Sequence, residues 1–205
     1  MAQRKKSGER QKEIILAAVK IIDKDGIHAL TLQSIANELG ISDVALLRHF
    51  RSKEEIVEAL AQKVFFTTVI TEDPSTNHDL EASIESLFRR QFSEFEAWPE
   101  ATSIFFHEEI FREYPSVREW FLVRRTERHR RLVRMVKAGQ TAGKVRNDLD
   151  ADIFATVLMG SMRMAVMEWR ESGRNGSLVE KAAPMADMMA RAIEIKNGRL
   201  ENESN

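Results

Sequence analysis

The chain has 205 residues, with 31 Lys and Arg against 32 Asp and Glu, 43% apolar side chains and no Cys. This composition excludes a disordered polyelectrolyte, a membrane bundle, a disulfide framework, thiolate metal sites and cysteine nucleophiles. Nine Gly and four Pro are few for this length, and both residues break helices, so an all-α fold is expected. The formal net charge of −1 hides an asymmetry: residues 1–12 carry Arg4, Lys5, Lys6, Arg10 and Lys12 against Glu9 alone. That basic arm runs into the amphipathic KEIILAAVKIIDK rather than an apolar signal core, and the longest apolar run, Ile153 to Met162, falls short of a membrane span. A cytoplasmic protein with no membrane partner is expected.

In chain order, Ile15, Ala18, Val19 and Ile22 form a helical stripe that ends near Asp25 and Gly26. Thr31 is placed to cap a second helix carrying Leu32, Ile35, Ala36 and Leu39 and stopping at Gly40. Ile41 and Ser42 make a tight turn into a short third helix, capped by Ser42 and buried through Leu46 and Phe50. Ser52 and Glu55 form a capping box that opens a long fourth helix to about Thr71. The segment TEDPSTNHD, residues 71–79, reads as a linker. Beyond it the spacing predicts helices over about 79–97, 100–113, 116–138, 151–172 and 178–196, with capping boxes at Ser116/Glu119 and Ser177/Glu180.

Two short helices joined by a Gly-containing turn, preceded by a helix and a basic arm, form a helix-turn-helix pattern at about residues 31–50. Thr31, Ile35, Ala36, Gly40, Ile41 and Ser42, then Arg48, His49, Phe50, Lys53 and Ile56, together with the flanking helices, closely resemble the N-terminal domain of the TetR family of transcriptional repressors. The resemblance covers about residues 9–69. The rest is similar to the family in helix count and length, and in AGKVRNDLD before the helix at 151. The resemblance implies an N-terminal three-helix domain at 9–69 joined by a long helix to a C-terminal bundle at 79–197 that binds a ligand and dimerises, about nine helices in all.

A helix entering the major groove puts its first residues nearest the base edges, which makes Ser42, Asp43, Val44 and Ala45 the candidate readers. Thr31, His49 and Lys53 suit phosphate contacts, and Arg4, Lys5 and Lys6 suit counterion-releasing contacts or a minor groove. Leu47 stands where the family usually has a Tyr that touches the DNA backbone; Leu47 cannot hydrogen bond, and Arg48 or His49 is expected to compensate. Asp43 either reads a cytosine amino group or caps its helix.

In the C-terminal region Leu122, Arg125, His129, Leu132 and Val136 fall on one seam. Arg125 and His129 are read either as holding the polar group of a greasy ligand, or as satisfied by Glu108, Glu109, Glu168 or a backbone carbonyl. Phe88, Phe92, Phe105, Phe106, Trp120 and Phe121 are read as pocket walls or as ordinary core. The other cations of that helix (Arg124, Arg128, Arg130, Arg131, Arg134) are read as a solvated face. Helix 151–172 is apolar nearly all round, and with the last helix it predicts a two-fold four-helix interface through Leu158, Met162, Trp169, Met185 and Met189, against simple burial within one chain.

The expected function is therefore a homodimeric, ligand-responsive repressor of a palindromic operator in double-stranded DNA, released by a small apolar molecule. The rival reading is a ligand-binding or protein-interaction bundle with degenerate DNA recognition. No cofactor is expected. His107-Glu108-Glu109 lacks the HExxH spacing, so no metal site is expected, and no nucleophile or phosphate-loop pattern supports an enzyme.

Overall fold

The computed structural model describes residues 7–67, 80–106 and 108–194. The basic arm at Arg4, Lys5 and Lys6, the linker 71–79, His107 and the end of the expected last helix lie outside the described residues. Among the described residues ten α-helices and three short 3-10 turns follow one another, and no named strand occurs.

Helix α1 (Ser7–Asp25) buries Ile14, Ala18, Val19 and Ile22 and ends at Gly26, whose φ of +82° and ψ of 172° suit glycine alone. A 3-10 turn then leads to α2 (Leu32–Leu39). Thr31 and Ser34 close a reciprocal cap there: each side-chain oxygen accepts from the other's backbone N–H at 2.9 Å. Gly40, at φ 61° and ψ 37°, stops α2 in the left-handed conformation. The next helix, α3 (Asp43–Leu47), has Ser42 as its cap, and α4 (Lys53–Thr67) has Ser52. The Glu55 carboxylate reaches back to the Arg51 N–H at 2.5 Å rather than to that of Ser52.

After α5 (Leu80–Ala97), the stretch expected as one helix over 100–113 is a 3-10 turn followed by α6 (Thr102–Phe106) and α7 (Glu108–Glu113). Helix α8 (Pro115–Thr141) does not use the expected Ser116 cap. Pro115 takes the first helical position, and the Ser116 hydroxyl donates instead to Glu58 at 2.8 Å. Helix α9 (Ala151–Glu171) is capped by Asp150, whose Oδ1 accepts from the N–H groups of Asp152 and Ile153. Ser177 accepts from the Glu180 N–H as the sequence predicts, and α10 (Ala182–Ile193) follows.

The chain forms two discontinuous units. The first comprises residues 1–69 and 97–125, so α6, α7 and the start of α8 join the helices that the sequence groups at 9–69. Its core runs through Ile14 and Ile22 of α1, Ile35 of α2, Leu46 of α3 and Leu60 of α4. Ile104, Ile110, Tyr114 and Val117 complete it. Each buried aliphatic side chain contributes about 1.5–3 kcal/mol of transfer free energy. Polar links accompany that packing: Ser103 donates to Asp23, Ser116 to Glu58 and Lys53 to Glu113. Phe65, Phe105, Phe111 and Phe121 form a ring cluster in this unit, with Phe111 and Phe121 stacked at 4.6 Å.

The second unit comprises residues 70–96 and 126–205. Phe88 and Phe92 of α5 are fully buried and stack at 5.7 Å. Leu158, Met162 and Trp169 of α9 and Ala186, Met189 and Ala190 of α10 are buried as well. The Glu96 carboxylate accepts from the Ser177 hydroxyl at 2.9 Å and from the N–H groups of Leu178 and Val179, capping the turn before α10 across 81 to 83 residues of sequence.

Candidate nucleic-acid interface

The third helix is short because its boundaries are set on both sides. The Ser42 Oγ accepts from the Ala45 N–H at 3.2 Å, and after Leu47 the N–H groups of His49 and Phe50 both return to the Leu46 carbonyl. Leu46 is fully buried and Phe50 nearly so, and together they pin the inner side of α3 to the first unit's core. The outer side is open. Ser42, Asp43 and Arg48 are exposed, Val44 is 65% exposed, Leu47 is 43% exposed, and Ala45 and His49 are half-buried. The Gln11 side chain of α1 donates to the His49 carbonyl at 3.3 Å and ties down the end of the motif.

Thr31 is exposed at the start of α2, and its hydroxyl accepts from the Ser34 N–H. A hydroxyl that accepts still has its own proton to donate, which is what a phosphate oxygen requires. Lys53 begins α4 and is held within the first unit. Its Nζ lies 3.2 Å from a Glu113 oxygen and 5.9 Å from the centroid of the Tyr114 ring, while His28 Nδ1 lies 4.0 Å from the other Glu113 oxygen. Partial burial works against the Lys53 charge. The hydrogen bonds to Tyr114 and Glu113 and the Glu113 charge outweigh it and hold the Lys53 pKa above the ordinary lysine value. Glu113 and Tyr114 were not foreseen. They stand 60 and 61 positions along the chain, and no local spacing links them to Lys53.

The residues read as ligand contacts divide between the units. Phe105, Phe106, Trp120, Phe121 and Arg125 belong to the first, and Phe88, Phe92 and His129 to the second. Phe88 and Phe92 are core, Phe105 and Phe121 join the ring cluster, and Phe106 and Trp120 are half-buried. Arg125 is exposed, against the expectation that it lies inside an apolar stripe. Residue 125 is the last of the first unit, and the stretches of α8 before and after it serve different cores, so a single seam cannot be extrapolated through it. His129 is half-buried. Its Nε2 lies 3.3 Å from both the Asp152 carbonyl and the Thr156 hydroxyl, and its Nδ1 is 3.7 Å from the Asp152 carboxylate. The anticipated backbone carbonyl is thus among its partners. Arg130 and Arg134 are exposed as expected of a solvated face, whereas Arg124, Arg128 and Arg131 are half-buried.

The expected dimer residues require correction. Leu158, Met162, Trp169 and Met189 are buried within the single chain and Met185 is half-buried. The Trp169 indole donates to the Gly176 carbonyl at 3.1 Å. What α9 leaves open instead is Ile153, Val157 and Met164, exposed by 63, 51 and 55%, with Gly160 between them; Met188 of α10 is 58% exposed. Positions 153, 157, 160 and 164 recur at helical spacing and form one uncovered apolar stripe. Among the described residues no group of three His, Asp or Glu side chains forms a metal site, and no helix is long and apolar enough to cross a membrane.

Residues 14–60 match the model of a family described as bacterial regulatory proteins, tetR family. The HTH-type transcriptional repressor KstR2 of Rhodococcus jostii (strain RHA1) is 26% identical over 172 residues, covering 82% of this chain and 83% of the relative. Among solved structures, the ketosteroid transcriptional regulator KstR2 of Mycobacterium tuberculosis matches with a TM-score of 0.75 at 19% identity, over 91% of this chain and 96% of that one. The regulator FadR of Bacillus subtilis, solved in complex with stearoyl-CoA, matches with a TM-score of 0.69 at 17% identity, over 89% and 99%. At such identities the two structures establish a common fold.

Proposed function

We propose that this chain, a member of the TetR family, is a cytoplasmic, homodimeric repressor that leaves its operator when a small apolar molecule binds. The observation that carries the reading is the exposed outer side of α3, presented by a capped and internally anchored helix at the position where a helix-turn-helix reads bases. Two such helices must meet successive major grooves, about 34–36 Å apart, and the second copy supplies the other half-site. The uncovered stripe of Ile153, Val157 and Met164, with Met188, is the surface on which that copy packs. Apolar side chains left open at helical spacing gain by being covered, and a stable contact needs about 800 Å² per partner.

Arg48 and Thr31 grip phosphates, with His49 and Lys53 beside them, while the first turn of α3 faces base edges. The released state follows from linkage: an effector displaces DNA only if it favours the conformation whose two recognition helices no longer match the operator. An apolar moiety in the ligand is supported by one fold neighbour solved in complex with stearoyl-CoA, whose acyl chain is apolar while its CoA head is anionic. The role is binding and regulation rather than catalysis.

Selection of the full chain against random duplexes tests this directly. A palindromic site bound with an affinity that falls steeply with salt is the expected result. A dimer that selects no palindrome would instead support the protein-interaction reading. Native mass spectrometry of the purified protein, with retention of an apolar molecule, tests the ligand class.

A further inference from the structure

The outer side of α3 is unusual in what it lacks. Val44 and Leu47 stand one turn apart and have no polar side-chain atom, yet they are 65 and 43% exposed on a helix of only five residues. Between and around them hydrogen-bonding capacity is thin. The Ser42 oxygen accepts from the Ala45 N–H and keeps one proton to donate, Ala45 has only a methyl and is half-buried, and Asp43 can accept but not donate. Single exposed apolar residues are ordinary, but here the two largest exposed side chains of α3 itself are both apolar and stand one turn apart. The inner residues Leu46 and Phe50 fix the helix rotation, so neither can turn inward.

We infer that this chain reads its operator in part through methyl recognition: Val44 and Leu47 form an apolar pair that selects thymine by its C5 methyl group. This rests on the DNA-binding reading above. The major groove offers one methyl group on its base edges, that of thymine; cytosine presents only a C5–H there, and the remaining features are donors and acceptors whose desolvation against Val or Leu is unfavourable. An apolar pair therefore favours thymine and penalises the other bases. Exposed Arg48, next in sequence, remains a phosphate or guanine donor at the edge of the same patch. Leu47 thereby acquires a positive role as a specificity residue.

The test uses the full chain and the duplex returned by selection, with each thymine of a half-site replaced in turn by deoxyuridine. That change removes the methyl and keeps every hydrogen-bonding atom. One or two thymines per half-site are expected to lose about 3–10-fold in affinity on this change, as burial of a methyl-sized group predicts. The loss should shrink to less than twofold in Val44→Ala or Leu47→Ala, both at exposed positions where folding is retained and is checked by circular dichroism. If a site is selected but deoxyuridine is tolerated within twofold throughout, or if the loss persists unchanged in both variants, the thymine proposal is overturned while DNA binding stands. If no sequence is selected at all, the reading it rests on falls first and the proposal with it.

Discussion

Among the described residues, α3 and α9 each expose more than one large apolar side chain, in different settings, whereas Leu16 and Val123 are exposed singly on α1 and α8. On α3 the patch is two residues, Val44 and Leu47, flanked by Asp43 and Arg48 on a helix closed at both ends by local hydrogen bonds. On α9 it is a stripe of Ile153, Val157 and Met164 along a helix of 21 residues, and Met188 of α10 is exposed as well. Extent and surroundings separate the two: a small patch framed by charges suits a polyanion with a few methyl groups, and a long apolar stripe suits a second copy of itself. Exposure of hydrophobic residues acquires meaning only with its dimensions and its neighbours.

The largest expected effect breaks the first surface. Reversing Arg48 and Lys53 to Glu together should weaken operator binding by about a thousandfold or more at low salt and flatten its salt dependence, measured by fluorescence anisotropy over a salt series, because two cations become two anions near phosphate. Lys53→Glu also faces Glu113, so the fold is checked by circular dichroism. The second surface breaks next. Val157→Glu with Met164→Glu should convert the dimer to a folded monomer in analytical ultracentrifugation. Leu158→Ala, one position along but buried, should leave the association and cost about 2–5 kcal/mol of stability in chemical denaturation. A dimer unaffected by the first pair would move the interface elsewhere.

Smaller effects sharpen the comparison by probing what holds α10 in place. Glu96→Ala leaves the Ser177 hydroxyl and two backbone N–H groups without their carboxylate, and about 2–3 kcal/mol of destabilisation is expected in a urea titration. The smallest effect belongs to Glu94 on α5. Burial holds its pKa above the ordinary carboxylate value despite the nearby charges of Arg90 and Arg128. The folded state then binds the proton more tightly than the unfolded chain, so stability falls as pH rises from the ordinary carboxylate pKa through the raised one. Glu94→Gln should accordingly raise Tm slightly at pH 7 and leave it unchanged at a pH low enough to protonate the wild-type carboxyl.

How much of this was legible in the sequence depends on the range of the interaction. Thr31, Gly40, Ser42 and Ser52 act on residues three or four positions away, and their caps and stops are found where the sequence puts them. Leu46 and Phe50 were readable as the buried side of α3 because the opposite side of a short helix has to be open. The α9 register was not readable: where nearly every position is apolar, periodicity cannot distinguish the side facing the chain's own core from the side left for a partner. Arg125 failed for a related reason, since a seam drawn at heptad spacing assumes one core along the whole of α8. Glu113 beside Lys53 needed the folded chain itself.

The make-up of the first unit carries a consequence for how such a protein is cut and recombined. Ile104, Ile110, Tyr114 and Val117 close the hydrophobic interior beneath the helix-turn-helix, and Ser103, Glu113 and Ser116 fasten onto α1 and α4 by hydrogen bonds. A fragment ending near residue 69 would bare that interior to water. The sequence-matched segment is therefore not a detachable module, and a chimera that borrows this chain's operator preference would need to carry residues 97–125 along with it.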